Sequence, residues 1–292
     1  MRKKIAKKPL FKVVRRPLPP LIRIAAFVLY LHFRKFNTFS GLQFIYIYGI
    51  IAKAFMGETE MRIAIISAMS SEIEAVIDIL DKTEKKKIGG SDIYSGKYKE
   101  NEIICAVSYE GKVNAAVCAQ SVILLYKPDA VINLGVGGGI DPSLKPGDVV
   151  VATSVVQHDF NCEKRGYAKG QVCNFETPLM KCDDGIREKL FDCAKEIDGI
   201  TVTQGIVATG DQFVSSTATA RRIRKEFGAS VVEMESAAIG QTCLLNGIPF
   251  GVVRAVSDNG DDSAFGSFGD FLEFAVANSV KLIKRFLEKG GV

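Results

Sequence analysis

Short apolar runs and segments of helical period alternate along most of the chain. Met61–Ser67 is Ile-rich and uncharged after Arg62, as in a strand buried on both faces. Ser70 and Ser71 stand where they can cap a helix to about Leu80, with Glu72 and Glu74 in its first turn. Lys82–Lys87 reads as a solvated charge run, and Asp92–Tyr98 with Glu102–Tyr109 as a hairpin. Helices are predicted at Gly111–Tyr126, Asp184–Glu196, Thr219–Phe227, Ser236–Leu245 and Phe268–Leu287. Strands are predicted at Ala130–Leu134, Asp148–Val156, Thr201–Val207, Ser230–Met234 and Pro249–Val256. A polar stretch, His158–Thr177, is long enough to be a functional or mobile loop. This order predicts an α/β fold: three α/β/α layers around a central mixed, mostly parallel twisted sheet. Ligands of such sheets bind at the carboxyl ends of the strands.

The first sixty residues do not fit that pattern. Of the chain's 38 basic and 33 acidic residues, residues 1–60 hold 12 and 2, a net of +10. The remaining 26 and 31 give the body a net of −5, which argues against a nucleic-acid surface there. The apolar runs Ile24–Phe33 and Leu42–Ala52 are each too short to cross a bilayer, and no clean signal-peptidase site follows. The segment reads as a membrane-surface anchor, as a packed extension, or as sequence upstream of a functional chain that starts at Met61. The last reading is favoured, which makes 61–292 the functional domain and leaves membrane contact to residues 1–60. Seven Cys without a C-x-x-C pair read as free thiols in a reducing, cytoplasmic setting. Two His nearly exclude a His-built metal centre or a Ser-His-Asp triad; His158 with Cys162 is at most half a site.

Chemistry gathers at the predicted strand ends. Gly135-Val136-Gly137-Gly138-Gly139 follows one strand, but Ile140 occupies the third Gly position of a dinucleotide fingerprint and P-loop spacing is absent. The glycines imply close approach of a ligand or of a neighbouring strand. Glu233-Met234-Glu235 puts two carboxylates on one side by alternation, suited to a vicinal diol, though a solvated turn has the same sequence. Arg254-Ala255-Val256-Ser257-Asp258 opens an acidic cluster with Asp261 and Asp262, whose repulsion would raise one pKa toward that of a general acid. Metal binding is the rival for that cluster. Glu72 is a carboxylate or a helix-dipole residue, and Phe213 and Phe268 are loop aromatics able to stack on a base.

Taken in order, these motifs resemble the purine nucleoside phosphorylase/nucleosidase family, and within it the 5′-methylthioadenosine/S-adenosylhomocysteine nucleosidases. The resemblance spans about residues 61–290. It is carried by Ala68-Met69-Ser70-Ser71-Glu72-Ile73-Glu74, Asn133-Leu134-Gly135-Val136-Gly137-Gly138-Gly139, His158-Asp159 with Gly166-Tyr167, Gly210-Asp211-Gln212-Phe213, Val232-Glu233-Met234-Glu235 and Val253-Arg254-Ala255-Val256-Ser257-Asp258. It implies hydrolysis of an adenine–ribose N-glycosidic bond, without a cofactor, by a homodimer. It casts Glu72 as the base on water, Asp258 as the acid at purine N7 oriented by Ser257, and Glu235 as the ribose-hydroxyl acceptor. Met234 falls under the sugar, Phe213 on the base, Val214 at the adenine edge, Arg254 near the water and Phe268 at the 5′ pocket. Met69, Val136, Gly138 and Glu233 complete the expected substrate-binding set. Val136 stands where some relatives carry Ser, and Arg165 and Cys173 where relatives place Phe and Pro over the 5′ substituent. A phosphorylase or a nucleosidase for another 5′ group, such as futalosine, is the alternative.

Overall fold

The computed structural model describes residues 60–292, except the side chains of residues 265–268 and 270. The readings of residues 1–59, and of Phe268 as a side chain, lie outside that description. Ten strands form one sheet: β1 (Arg62–Ser67), β2 (Asp81–Ile88), β3 (Ser91–Tyr98), β4 (Asn101–Val107), β5 (Ala130–Gly139), β6 (Val149–Gln157), β7 (Met180–Lys181), β8 (Val202–Thr209), β9 (Ala229–Glu233) and β10 (Phe250–Asp258). The helices are a single turn, α1 (Glu74–Ile77), then α2 (Lys112–Tyr126), α3 (Asp184–Lys195), α4 (Thr217–Phe227), α5 (Ser236–Asn246) and α6 (Ala264–Glu288).

The sheet is mixed. Its parallel pairings are β1 with β4 and β5, β5 with β10, and β8 with β6 and β9. Antiparallel pairings join β2–β3–β4, β6–β7, β6–β10 and β5–β9. Strand β5 therefore has three partners: residues 130–133 pair β1, 131–138 pair β10, and Gly138–Gly139 pair β9. The strands β5, β10, β6, β8 and β9 close into a circuit, and among the described residues β2 is an edge strand paired with β3.

Alternation along the strands sorts the core onto the two faces. Ile63 and Ile65 pack with Ile186 and Leu190 of α3 and Leu282 and Phe286 of α6. Ala64 and Ile66 pack with Ala115 and Ala119 of α2 and Ile239 and Cys243 of α5. Both faces are thus covered by helices, which is why β1, β5 and β10 are mostly apolar or small, with Asn133, Arg254 and Asp258 as buried polar exceptions.

Three local expectations are corrected. Lys82–Lys87 is a solvated run, but it belongs to β2, whose residues Asp81–Lys87 are all exposed and pair with β3. Charge on an edge strand hinders pairing with a second sheet. The Ser70/Ser71 helix is only a 3-10 turn, Ser70–Glu72, followed by α1; Ile73 leaves helical geometry at φ −127°. No serine caps that turn; the Met69 N–H donates instead to Glu72 Oε2 at 2.9 Å. The Gly135–Gly139 run is not a loop after a strand but the second half of β5.

Candidate active site

The glycines of β5 are small because neighbouring side chains occupy the space a Cβ would need. A Cβ on Gly135 would overlap the Arg254 guanidinium and lie 2.7 Å from Glu72 Oε1. One on Gly138 would lie 2.9 Å from Asp258 Oδ1, and one on Gly137 would meet Val231 and Val232 of β9. Both predicted catalytic carboxylates therefore rest on β5, three residues apart.

Glu72 is buried, and both its oxygens are held by amides: Oε1 by Val136 N–H and Oε2 by Met69 N–H, each at 2.9 Å. Val136 thus serves the site through its backbone whatever its side chain. Burial raises the Glu72 pKa above the usual carboxylate value, and the Arg254 charge and these amides oppose the rise. Asp258 closes β10 and is also buried. Its Oδ1 accepts from Gly260 N–H and its Oδ2 from Ser257 Oγ, each at 2.8 Å. Burial again raises its pKa; Gly260 and Ser257 oppose, while Asp261 adds to the rise. The acidic neighbour expected to dominate is therefore a minor contributor beside desolvation.

Arg254 is 1% exposed and lies at the centre of a buried polar network. Its guanidinium donates to Glu233 Oε2, to Asn133 Oδ1 at 2.7 Å and to Ser236 Oγ at 3.0 Å. Glu235 Oε2 is 3.6 Å away. Glu233 differs from its expected role as a ligand-facing carboxylate. Its Oε1 accepts from Thr209 Oγ1, and its Oε2 accepts the amides of Glu235 and Ser236 at the start of α5. The chain leaves β9 at Glu233, so strand alternation does not carry through to residue 235. Glu235 binds the Gly111 N–H through Oε1 at 2.9 Å. Burial and then the Glu233 charge push its pKa to about 8, against Arg254 and Gly111.

Met234, between the two glutamates, and Met69 are half-buried. Phe213 is 46% exposed beside buried Val214, whose carbonyl oxygen is 4.0 Å from where a Cβ on Gly260 would sit. That places the Phe213–Val214 segment next to the Asp258 loop. Phe268 falls in the first turns of α6. Arg165 is exposed near the Tyr167 ring, in the long loop after β6. His158 is buried against Gly210, while the free thiols of Cys162 and Cys173 share a hydrogen bond in that loop. Sequence reasoning assigned no role to Asn133, Thr209, Ser236 or Gly111. Their long-range partners lie 18 to 124 residues away, and no local pattern encodes such pairings.

Two buried carboxylates thus lie against one glycine strand, the first beside a buried arginine. Residues 62–288 match the family model of the Phosphorylase superfamily, and the chain belongs to that superfamily. Among its relatives, 5′-methylthioadenosine/S-adenosylhomocysteine nucleosidase of Bacillus pumilus (strain SAFR-032) is 37% identical over 230 residues, 78% of this chain and 99% of that protein. The crystal structure of 5′-methylthioadenosine/S-adenosylhomocysteine nucleosidase from Neisseria meningitidis, in complex with methylthio-immucillin-A, superposes with a TM-score of 0.76 at 37% identity, covering 78% and 99% of the two chains. Futalosine hydrolase of Helicobacter pylori strain 26695 superposes with a TM-score of 0.75 at 32% identity, covering 78% and 98%.

Proposed function

We propose that this chain hydrolyses the N-glycosidic bond of 5′-methylthioadenosine and S-adenosylhomocysteine, and of 5′-deoxyadenosine, releasing adenine. The observation that carries the reading is the pair of buried carboxyl groups on β5, Glu72 beside a cation and Asp258 beside an anion. The nucleoside lies across the end of β5 with its base toward Phe213 and Asp258. Asp258, oriented by Ser257 and Gly260, gives its proton to purine N7, so that adenine leaves neutral. Glu72 takes a proton from the water that attacks the anomeric carbon. Glu235 accepts the ribose hydroxyls, and Met234 and Met69 line the sugar. Glu233 and Arg254 act through position and charge. Fixed carboxylates stabilise the oxocarbenium-like sugar of the transition state. Attack by water from the face opposite the leaving base inverts the anomeric carbon.

A phosphorylase would need a cation for phosphate. Arg254 is instead engaged by Glu233, Asn133 and Ser236, and Glu72 would repel an anion beside it. The futalosine hydrolase neighbour keeps a second 5′ substituent in view, with Arg165 as the residue nearest to that choice in sequence.

The domain reading is that residues 61–292 act alone in the cytoplasm as three layers. Glu60–Val292 forms a compact unit, and no helix among the described residues is long and apolar enough to cross a membrane. A homodimer would cover the stripe of Val113, Val117 and Leu124 that α2 leaves exposed.

The test is a panel of methylthioadenosine, S-adenosylhomocysteine, 5′-deoxyadenosine, futalosine and inosine, with and without phosphate. Free adenine and free thioribose without phosphate are expected. Turnover that requires phosphate, or that is confined to inosine, would overturn the assignment. A chain starting at Met61 is expected to be soluble and active in the same assay.

A further inference from the structure

We propose that Lys112 is a positioning residue that ties the sugar end of the site to its base end. The proposal rests on the nucleosidase reading only for its kinetic arm. Two consecutive amides at the start of α2 point to different parts of the site. Gly111 N–H holds Glu235 Oε1 at 2.9 Å, and Lys112 N–H holds Asp211 Oδ1 at 2.8 Å. Asp211 stands two residues before Phe213, so the peptide that orients the sugar carboxylate also anchors the base-binding segment.

The Lys112 side chain closes this arrangement. Its Nζ donates to Asp159 Oδ1 at 2.7 Å and to Gln157 Oε1 at 3.1 Å, and lies 3.8 Å from Asp211 Oδ2. Asp159 in turn accepts the Asp211 N–H through its other oxygen at 2.9 Å. One ammonium thus joins three segments: the start of α2, the end of β6 with its loop, and the turn before Phe213. It also separates two carboxylates that would repel each other if it were neutral. The Lys112 side chain is 18% exposed, so this charge is only partly screened by water. Gly111 allows the close approach of these segments. Its φ of 95° is open to glycine, and a Cβ there would stand 3.3 Å from Asp211 Oδ1. None of these contacts reaches the reacting atoms, so the effect on catalysis passes through Glu235 and Phe213.

Lys112→Met keeps the stem and the backbone amide and removes the ammonium. The expected result is a rise of about tenfold in KM for methylthioadenosine with a smaller fall in kcat, because the binding geometry loosens while Glu72 and Asp258 stay in place. Lys112→Arg is expected to recover most of the loss. Asp159→Asn should mimic Lys112→Met, and the double variant should be no worse than the more impaired single variant, since both break one linkage. Hydrogen exchange supplies an arm that needs no turnover: Lys112→Met should quicken exchange both at residues 110–113 and at residues 210–214. An unchanged KM, strictly additive single variants, or quickened exchange confined to residues 110–113 would overturn the proposal. If the wild-type protein releases no adenine, the functional reading fails, and the exchange pattern alone still decides the linkage.

Discussion

Two positions in the second half of β5, Gly135 and Gly138, hold the same chemical group in opposite electrical surroundings. At Gly135, Glu72 is braced by two amides and faces a buried guanidinium. At Gly138, Asp258 is braced by one amide and one hydroxyl, and the charge that reaches it is the anion of Asp261. Desolvation raises both pKa values, but the neighbouring charge favours the ionised form at Glu72 and the protonated form at Asp258. Separating two carboxyl groups by their surroundings is how one site provides both a base and an acid.

The comparison is broken most severely by removing the carboxyl groups themselves. Asp258→Asn and Glu72→Gln are each expected to slow adenine release by about 10²–10⁴-fold while the circular dichroism spectrum stays native. Turnover near the wild-type rate in either would return both groups to a structural role. Next comes Arg254→Met, which leaves Glu233 buried without its cation and should cost about 3–5 kcal/mol in denaturant unfolding. In any protein that remains folded, the Glu72 pKa rises further, so the acidic limb of the kcat/KM profile moves to higher pH. An unmoved limb would mean that Glu72 does not feel this charge.

Gly135→Ala and Gly138→Ala sharpen the contrast. Each is expected to cost about 1–3 kcal/mol of stability from overpacking. The first should disturb the acidic limb by displacing Glu72 and Arg254, and the second the alkaline limb by displacing Asp258. The smallest effect concerns Glu235, with its pKa raised to about 8 from an ordinary 4.5. The native state holds this proton more tightly than the unfolded chain. The stabilisation is therefore complete below about 4.5 and is lost as pH rises through about 8. Melting temperatures should fall across that window, and Glu235→Gln should flatten the fall. An equally steep curve in the variant would show that another group controls it.

The dispersed motifs made most of the strands and helices legible in the sequence, together with Glu72 and Asp258, the two carboxylates that lie against β5. What remained hidden depends on contacts between distant segments. The glycine run reads correctly as a place of close approach, yet sequence cannot say that Arg254, Glu72, Asp258 and β9 are what approach it. Glu233 looks like a partner of Glu235 because alternation assumes that the strand continues. The chain turns into α5 instead, and Glu233 is used to bind that helix start. Asp81–Lys87 carries too much charge for its strand to be recognised, because solvent exposure on a sheet edge removes the apolar alternation that marks other strands.

That edge has a colloidal consequence. Among the described strands β2 pairs on one side only, with β3, and its other side lies beside Lys85, Lys86 and Lys87. The ammonium groups there hinder pairing of that edge with a second copy of the sheet. High salt or acetylation of these lysines would weaken that hindrance.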